Sequence, residues 1–94
     1  MKNESILIGK SVIELQIKAL KKLKNCIDKS FDDAVKAIVN CKSKVIICGV
    51  GKSGIIASKI SATLSSVGTP SFTVSASDCS HGDLGRITKK DILI

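Results

Sequence analysis

The spacing of apolar residues in the first half of the chain predicts two helices. Between residues 11 and 27 the apolar side chains recur at helical spacing over about half of the helix circumference, and lysines occupy the opposite side. So wide an apolar face indicates packing on two surfaces, one of which could belong to another subunit. Ser30, followed three residues later by Asp33, predicts the cap of a second helix. We expect residues 1–10, which precede the first helix, to be flexible.

The second half of the chain alternates between strand and helix patterns. Residues 44–48 form a β-branched apolar run that predicts a buried strand. Small side chains over residues 53–67 predict a helix that packs closely on a sheet, and Gly68 is placed to end it. Two further strands are predicted at residues 71–74 and 91–94. A strand, a helix and a second strand in succession indicate an α/β fold with a parallel sheet.

The last predicted strand has no helix after it to cover the sheet. An uncovered parallel sheet would expose an apolar face and an unpaired edge to water. We therefore expect residues 1–94 to be the front part of an α/β domain that is truncated within its third strand.

Composition and charge narrow the classes of partner. The formal net charge is +7, but aromatic residues make up only 2% of the chain and Arg86 is its single arginine. The chain has few aromatic side chains that could stack on bases and only one arginine that could hydrogen-bond to base edges, so we expect no nucleic-acid partner.

The sequence has no apolar run near the roughly 20 residues that cross a bilayer, and it has no secretory pattern. These features predict a cytoplasmic protein without membrane contact. The cysteines lack C-x-x-C spacing and predict no metal site.

A glycine-rich segment directly follows the first predicted strand. It reads Gly49-Val-Gly-Lys-Ser-Gly54 and leads into the predicted helix. Its glycines allow backbone amides to approach an anion, the helix end adds a partial positive charge, and Lys52 adds a full one. The segment therefore predicts a site for a phosphorylated ligand at the end of the strand.

Two nucleotide-binding motifs partly match this segment. The spacing G-x-G-x-x-G is typical of dinucleotide sites, but these also need an acidic residue at the tip of the next strand, where Ser75 and Ala76 stand. Dinucleotide binding is therefore a weaker alternative that stays open. A P-loop needs a glycine five positions before Gly51, and Ile46 occupies that place inside the predicted strand. Nucleotide hydrolysis is rejected on this ground.

Three segments together resemble one family. They are Gly49-Val-Gly-Lys-Ser-Gly54, Ser66-Val-Gly-Thr-Pro70 and Ser80-His-Gly-Asp-Leu-Gly85. At these mutual spacings they resemble the start of the arabinose-5-phosphate isomerases, which carry a sugar isomerase (SIS) domain, often followed by CBS modules. The resemblance implies that this chain is the N-terminal half of a SIS domain. That fold is a three-layer αβα sandwich with a parallel, flavodoxin-like sheet, here with two leading helices.

The resemblance also implies an activity. Arabinose-5-phosphate isomerases interconvert D-ribulose 5-phosphate and D-arabinose 5-phosphate, an aldose–ketose isomerisation that supplies Kdo for lipopolysaccharide. It implies a homotetramer with a sugar phosphate substrate and no cofactor. The family's general base and much of its phosphate site lie beyond the position of Ile94, so the chain alone is expected to be inactive. The alternative interpretation is a non-catalytic SIS module that senses a sugar phosphate.

The resemblance assigns roles to five residues. Lys52 matches an active-site lysine, and we expect it to be catalytic; Ser53, Gly68, Thr69 and His81 are expected to bind substrate. Isomerisation through a cis-enediol needs a base to move a proton and positive charge for the developing oxyanion, and Lys52 suits the second task. Gly68 and Thr69 follow a helix and should lie at the opposite edge of the sheet. We therefore expect them to reach substrate across a subunit boundary.

Two positions qualify the resemblance. Members of the family usually have a histidine directly after the second strand, at a position tied to an inhibitory metal, and this chain has Ser75 there. We accordingly expect no metal. Asp83, between Gly82 and Gly85, is expected to brace a tight loop rather than to act in catalysis.

Overall fold

The computed structural model describes residues 3–79 and 82–94. In chain order its elements are α1 (Glu4–Lys24), α2 (Lys29–Val39), β1 (Val45–Gly49), α3 (Lys52–Ser66), β2 (Ser71–Ser75), α4 (Ala76–Cys79), a 3₁₀ turn (Asp83–Arg86) and β3 (Ile92–Leu93). The chain divides into two compact units, one ending at Ala34 and the other beginning at Val35. The first unit contains α1, and the second contains the sheet.

Helix α1 begins seven residues earlier than the apolar spacing predicts. It starts at Glu4, so that residues 4–10, which were expected to be flexible, belong to the helix. Ile6, Leu7 and Ile8 extend the run of helix-compatible residues. Charges at both ends favour the longer helix, because Glu4 lies in its first turn and lysines lie in its last. None of its residues is buried within this chain.

The cap of α2 is Asp28, and the predicted cap at Ser30 is wrong. Asp28 Oδ1 accepts hydrogen bonds from the Ser30 backbone amide at 2.9 Å and from the Ser30 hydroxyl at 2.6 Å. These two bonds lower the pKa of the Asp28 carboxyl from its ordinary value. Asp33 instead forms an exposed ion pair with Lys29 at 3.0 Å. Because Asp28 lies one residue before the helix, its carboxylate reaches an amide that has no partner inside the helix.

The three strands form one parallel sheet in the order β2-β1-β3. Val45 is in register with Ser71 of β2 and with Ile92 of β3. Each strand overlaps its predicted range, and the prediction of an α/β fold with a parallel sheet is confirmed. The central position of β1 explains its unbroken apolar sequence, since a central strand of a parallel sheet is covered on both faces.

The core lies between the sheet and α3. Val45 and Ile47 pack against Ala57 of α3, and all three side chains are buried. Partly buried apolar side chains surround them, namely Ile38, Leu64 and Ile92. Ser61 is also buried, and its hydroxyl pairs with the hydroxyl of Ser71 at 2.8 Å. The small side chains of α3 thus allow the close approach that the sequence predicts, with the buried polar group hydrogen-bonded.

The end of β1 and the first turn of α3 are in direct backbone contact. A Cβ atom placed on Gly49 would lie 2.8 Å from the Gly54 nitrogen and 2.8 Å from the Ser53 carbonyl carbon. Side chains do not occur at such distances, so only glycine permits this approach. The contact brings the amino end of α3 against the carboxyl end of the central strand.

Asp91 joins β3 to the opposite, amino-terminal end of β1. Its side chain is 0% exposed and lies 3.2 Å from the Lys44 ammonium group. It also accepts hydrogen bonds from the Ser43 hydroxyl and, at 2.7 Å, from the Thr88 backbone amide. The bond from Ser43, then that from Thr88, hold the pKa of Asp91 well below its ordinary value, although desolvation opposes them. The ionised carboxylate therefore stabilises the pairing of the short strand β3.

We expect Asp91→Asn to lower the urea midpoint of unfolding at pH 7, because an amide replaces a carboxylate that several donors surround. A lowered folded-state pKa means that the stabilisation is present above the ordinary value of 3.8 and is lost as the pH falls below it. The wild-type midpoint should therefore drop on acidification below about pH 4, and the variant should lack that component. Circular dichroism during urea titration at several pH values measures the unfolding midpoints of the wild type and of the variant.

Asp33→Asn is the matched control, because the ion pair that it removes is 57% exposed at Asp33 and 86% exposed at Lys29. An exposed pair of this kind contributes little, so the midpoint of this variant should stay close to that of wild type. Equal loss in the two variants would contradict a special role for Asp91.

Gly49→Ala should reduce the free energy of unfolding by about 1–3 kcal/mol, because the added methyl group forces α3 away from β1. Gly85→Ala is the control, since a Cβ atom there has nothing within 4 Å. We expect its effect to stay within about 0.5 kcal/mol. Urea unfolding of both variants tests this, and a tolerated Gly49→Ala would disprove the close contact.

Candidate functional site

A cavity opens where the carboxyl ends of β1 and β2 meet the start of α3. Its volume is about 260 Å³. Its walls come from both strands, from α3 and from the segment after β2: Gly49, Gly54, Ser58, Thr73, Val74, Ser75, Asp78 and Arg86. The carboxyl edge of a parallel sheet is the usual ligand-binding edge of such folds. The cavity therefore coincides with the position that the glycine-rich segment predicts.

The glycine-rich segment presents the amino end of α3 to this cavity. Gly51 is the N-cap residue and has φ 62° and ψ −129°, a conformation that glycine adopts readily. As a glycine it offers no side-chain acceptor, so the first-turn amides are available to a ligand. Over 15 residues the helix dipole adds a partial positive charge at this end. These features suit an anionic group.

The remaining walls carry hydroxyl groups and two opposite charges. The Ser58 hydroxyl donates to the Gly54 carbonyl at 3.1 Å and keeps its oxygen as an acceptor. The Ser75 hydroxyl pairs with that of Ser77 at 2.8 Å. Asp78 and Arg86, two residues of opposite charge, complete the lining. Donors, acceptors and one cation around a small cavity suit a ligand with several hydroxyl groups and one anionic group.

Arg86 is a lining residue that the sequence does not reveal. Its guanidinium carbon lies 4.5 Å from the centre of the Phe72 ring on β2. At this distance the ring attracts the cation and restricts its position. The only sequence signal was that Arg86 is the single arginine of the chain. Its contact with Phe72 joins two segments that are apart in the sequence, so no local sequence pattern indicates it.

Lys52 and Ser53 lie where the sequence predicts, at the amino end of α3. Both are exposed and belong to the first turn of the helix. Neither side chain lines the cavity itself, but the next residue, Gly54, does. The structure therefore brings these two residues to the cavity edge.

Gly68 and Thr69 lie at the other end of α3. The Thr69 amide donates to the Leu64 carbonyl at 2.8 Å, directly after the helix. A helix of 15 residues is about 22 Å long, so these residues are far from Lys52 within one chain. This agrees with the expected opposite edge, and their contact with substrate stays a prediction. His81 lies outside the described residues.

Two features of the structure test the nucleotide-binding alternatives. Ile46 is 0% exposed and lies within β1, which confirms that no P-loop can form there. Ser75 is in register with Gly49, at the strand tip where dinucleotide sites carry an acidic residue. Asp78 reaches the cavity only after the further turn of α4. The strand tip itself thus gives dinucleotide binding no support.

The described part of the chain shows neither a metal-binding cluster nor a membrane-spanning helix. Among residues 3–79 and 82–94, no three histidine, cysteine or acidic side chains lie close enough together to bind a metal ion. Among the helices of this described part, none combines the length and the apolar character that a bilayer crossing needs.

Curated relatives share most of this chain. It is 45% identical over 86 residues to the arabinose 5-phosphate isomerase KdsD of Yersinia pestis, covering 92% of this chain and 26% of the relative. It is 51% identical over 83 residues to the KdsD of Francisella tularensis, covering 85% of this chain and 25% of the relative. The chain thus spans about a quarter of the length of these relatives.

A solved structure and a domain family complete the comparison. The structure of c3406 from Escherichia coli CFT073, in complex with arabinose 5-phosphate, matches with a TM-score of 0.89 and 38% identity, over 99% of this chain and 50% of that one. Residues 37–94 match the SIS domain. The parallel sheet and its helices correspond to part of the αβα fold of that domain, which confirms the predicted fold class. This chain therefore belongs to the SIS domain family.

Proposed function

We propose that this chain forms part of an aldose–ketose isomerase that interconverts D-ribulose 5-phosphate and D-arabinose 5-phosphate. The observation that carries the proposal is the likeness, over 99% of the chain, to a structure solved with arabinose 5-phosphate. The names of the KdsD relatives point to the same reaction. The cavity at the amino end of α3 supports it further, because its polar walls suit a sugar that carries one phosphate.

Lys52 is the residue to which we assign catalytic work. Isomerisation through a cis-enediol moves a proton between neighbouring carbons and places negative charge on the carbonyl oxygen. An ammonium group and helix amides near that oxygen lower the energy of the charged state. Lys52 opens α3 beside the cavity and is exposed, so its ammonium group is accessible to a ligand. Ser53 would donate a hydrogen bond from the same turn.

The other proposed contacts come from elsewhere in the assembly. Gly68 and Thr69 lie one helix length from Lys52 and would bind substrate from a neighbouring subunit. His81 is proposed as a further substrate contact. The exposed apolar side chains of α1, among them Leu7 and Leu20, support a homo-oligomer, which we propose is a tetramer. Because the proposed substrate is a phosphorylated metabolite, we place the protein in the cytoplasm. We propose that its product supplies Kdo synthesis and that the reaction needs no cofactor.

The general base is proposed to lie outside these 94 residues. Asp78 is the one carboxylate among the described residues that line the cavity. We propose that it accepts hydrogen bonds from sugar hydroxyls. We therefore expect the 94-residue chain to bind the sugar phosphate without turning it over.

A chimera tests the activity and the role of Lys52 together. In it, this chain replaces the matching 86-residue segment of the Yersinia pestis enzyme. We expect the chimera to convert D-ribulose 5-phosphate to D-arabinose 5-phosphate, followed by NMR. Lys52→Met should lower kcat by about 10²–10³-fold, the usual effect of losing an oxyanion partner.

Lys59→Met is the matched control, because Lys59 is an exposed lysine of the same helix and lies almost two turns further from its amino end. Its kcat should stay within about twofold of the unchanged chimera. A chimera that binds arabinose 5-phosphate but has no turnover would refute the isomerase and favour a sensor. Equal losses in both lysine variants would refute the assigned role of Lys52.

A further inference from the structure

We infer that the contact between Arg86 and Phe72 positions the wall of the cavity that carries Asp78, and that ligand affinity depends on this contact. The inference rests on the proposed function, in which Asp78 accepts hydrogen bonds from sugar hydroxyls. Arg86 and Asp78 both line the cavity, and both follow β2 in the chain. Arg86 is thus a positioning residue, which acts through Asp78 rather than on the ligand.

Phe72 lies on the face of the sheet opposite to α3. The hydroxyl of the preceding residue, Ser71, pairs with that of Ser61 on α3 at 2.8 Å. Side chains alternate between the two faces along a strand, so Phe72 points to the other face. Its register partner on β1 is Ile46, which is 0% exposed. The ring therefore stands beside a fully buried residue of the central strand, which makes it a fixed platform.

Arg86 fastens the segment after β2 to this platform. Its guanidinium carbon lies 4.5 Å from the ring centre, within the range of a favourable cation–π contact. The ammonium group of Lys44 is further from the ring centre, at 5.9 Å, and it pairs with Asp91 at the amino-terminal end of the sheet. Arg86 also makes a further interaction in the structure. Its contacts therefore serve to hold the chain.

Asp78 lies between two anchors. It belongs to α4, which has four residues and is too short to be stable by its own hydrogen bonds. At the start of α4, the hydroxyls of Ser75 and Ser77 pair at 2.8 Å. After α4, the 3₁₀ turn that contacts it ends at Arg86. The position of Asp78 thus depends on both anchors, and that of Arg86 reaches the opposite face of the sheet.

Such an anchor acts on affinity. A hydrogen bond to a sugar hydroxyl forms only over a narrow range of distances, so the acceptor must be placed accurately. Without an anchor, the ligand would have to order α4 on binding, and this loss of entropy would weaken the affinity. The contact of Arg86 with Phe72 orders the segment before the ligand binds. Because we assign no proton transfer to Asp78, the chemical step should be affected less.

A double-mutant cycle in the chimera tests whether Arg86 acts through Asp78. The Kd of arabinose 5-phosphate is measured by isothermal titration calorimetry. Asp78→Ala should weaken binding about tenfold, because it removes a charged acceptor. Arg86→Met should weaken binding about threefold to tenfold, but less than about twofold when Asp78→Ala is already present. In turnover, Arg86→Met should raise KM more than it lowers kcat.

Four further variants make the result specific. Phe72→Leu removes the ring and should weaken binding as much as Arg86→Met does. Phe72→Tyr keeps the ring and should weaken binding less than Phe72→Leu. Arg86→Lys keeps a cation for the ring and should weaken binding less than Arg86→Met. Lys89→Met, the matched control, removes an exposed positive charge away from the lining residues and should change the Kd less than about twofold.

Several outcomes would overturn the inference. A full loss on Arg86→Met in the presence of Asp78→Ala would show that Arg86 acts independently of Asp78. Equal losses in Arg86→Met and Lys89→Met would show an effect of net charge alone. Coupled losses without turnover would overturn only the isomerase, and turnover with independent losses would overturn only the inference. A chimera without further substitutions that does not bind arabinose 5-phosphate would overturn both.

Discussion

The structure depends on one backbone contact, between the last residue of β1 and the first turn of α3. Gly49 and Gly54 approach so closely that a side chain on Gly49 would collide with backbone atoms at 2.8 Å. Because of this contact, the amides at the start of α3 face the carboxyl end of the central strand. The same contact brings Lys52 and Ser53 to the edge of the cavity. The packing of α3 and the shape of the cavity therefore depend on the same steric requirement, the lack of a side chain at Gly49.

Electrostatic contacts hold segments in place at both ends of the sheet. At the amino-terminal end, Asp91 is surrounded by donors from residues 43, 44 and 88, which fixes the short strand β3 beside β1. At the carboxyl-terminal end, Phe72 positions Arg86 at the cavity. The buried carboxylate stabilises the pairing of β3, and the cation–π contact holds the segment after β2 against the sheet.

Local signals predicted most elements but misplaced two boundaries. The strands and α3 were found because β-branched runs, small residues and glycines mark them directly. Helix α1 begins at Glu4 rather than at residue 11, because the negative charge of Glu4 favours the earlier start and apolar spacing does not reflect that charge. The cap of α2 was assigned to Ser30, although Asp28 makes the bonds. Both residues fit the spacing of a cap, and only the backbone geometry selects between them.

The sequence by itself determined the α/β class, the parallel sheet and the place of the segment from Gly49 to Gly54 between a strand and a helix. Each depends on neighbouring residues, whose spacing carries the information. Only the tertiary structure decided which side chains line the cavity and how Asp91 is paired. Arg86 meets Phe72, and Asp91 meets Ser43, across a sequence separation of 48 residues in the second case. Such pairs form because parallel strands bring remote segments together, and no local pattern records which partner will be reached.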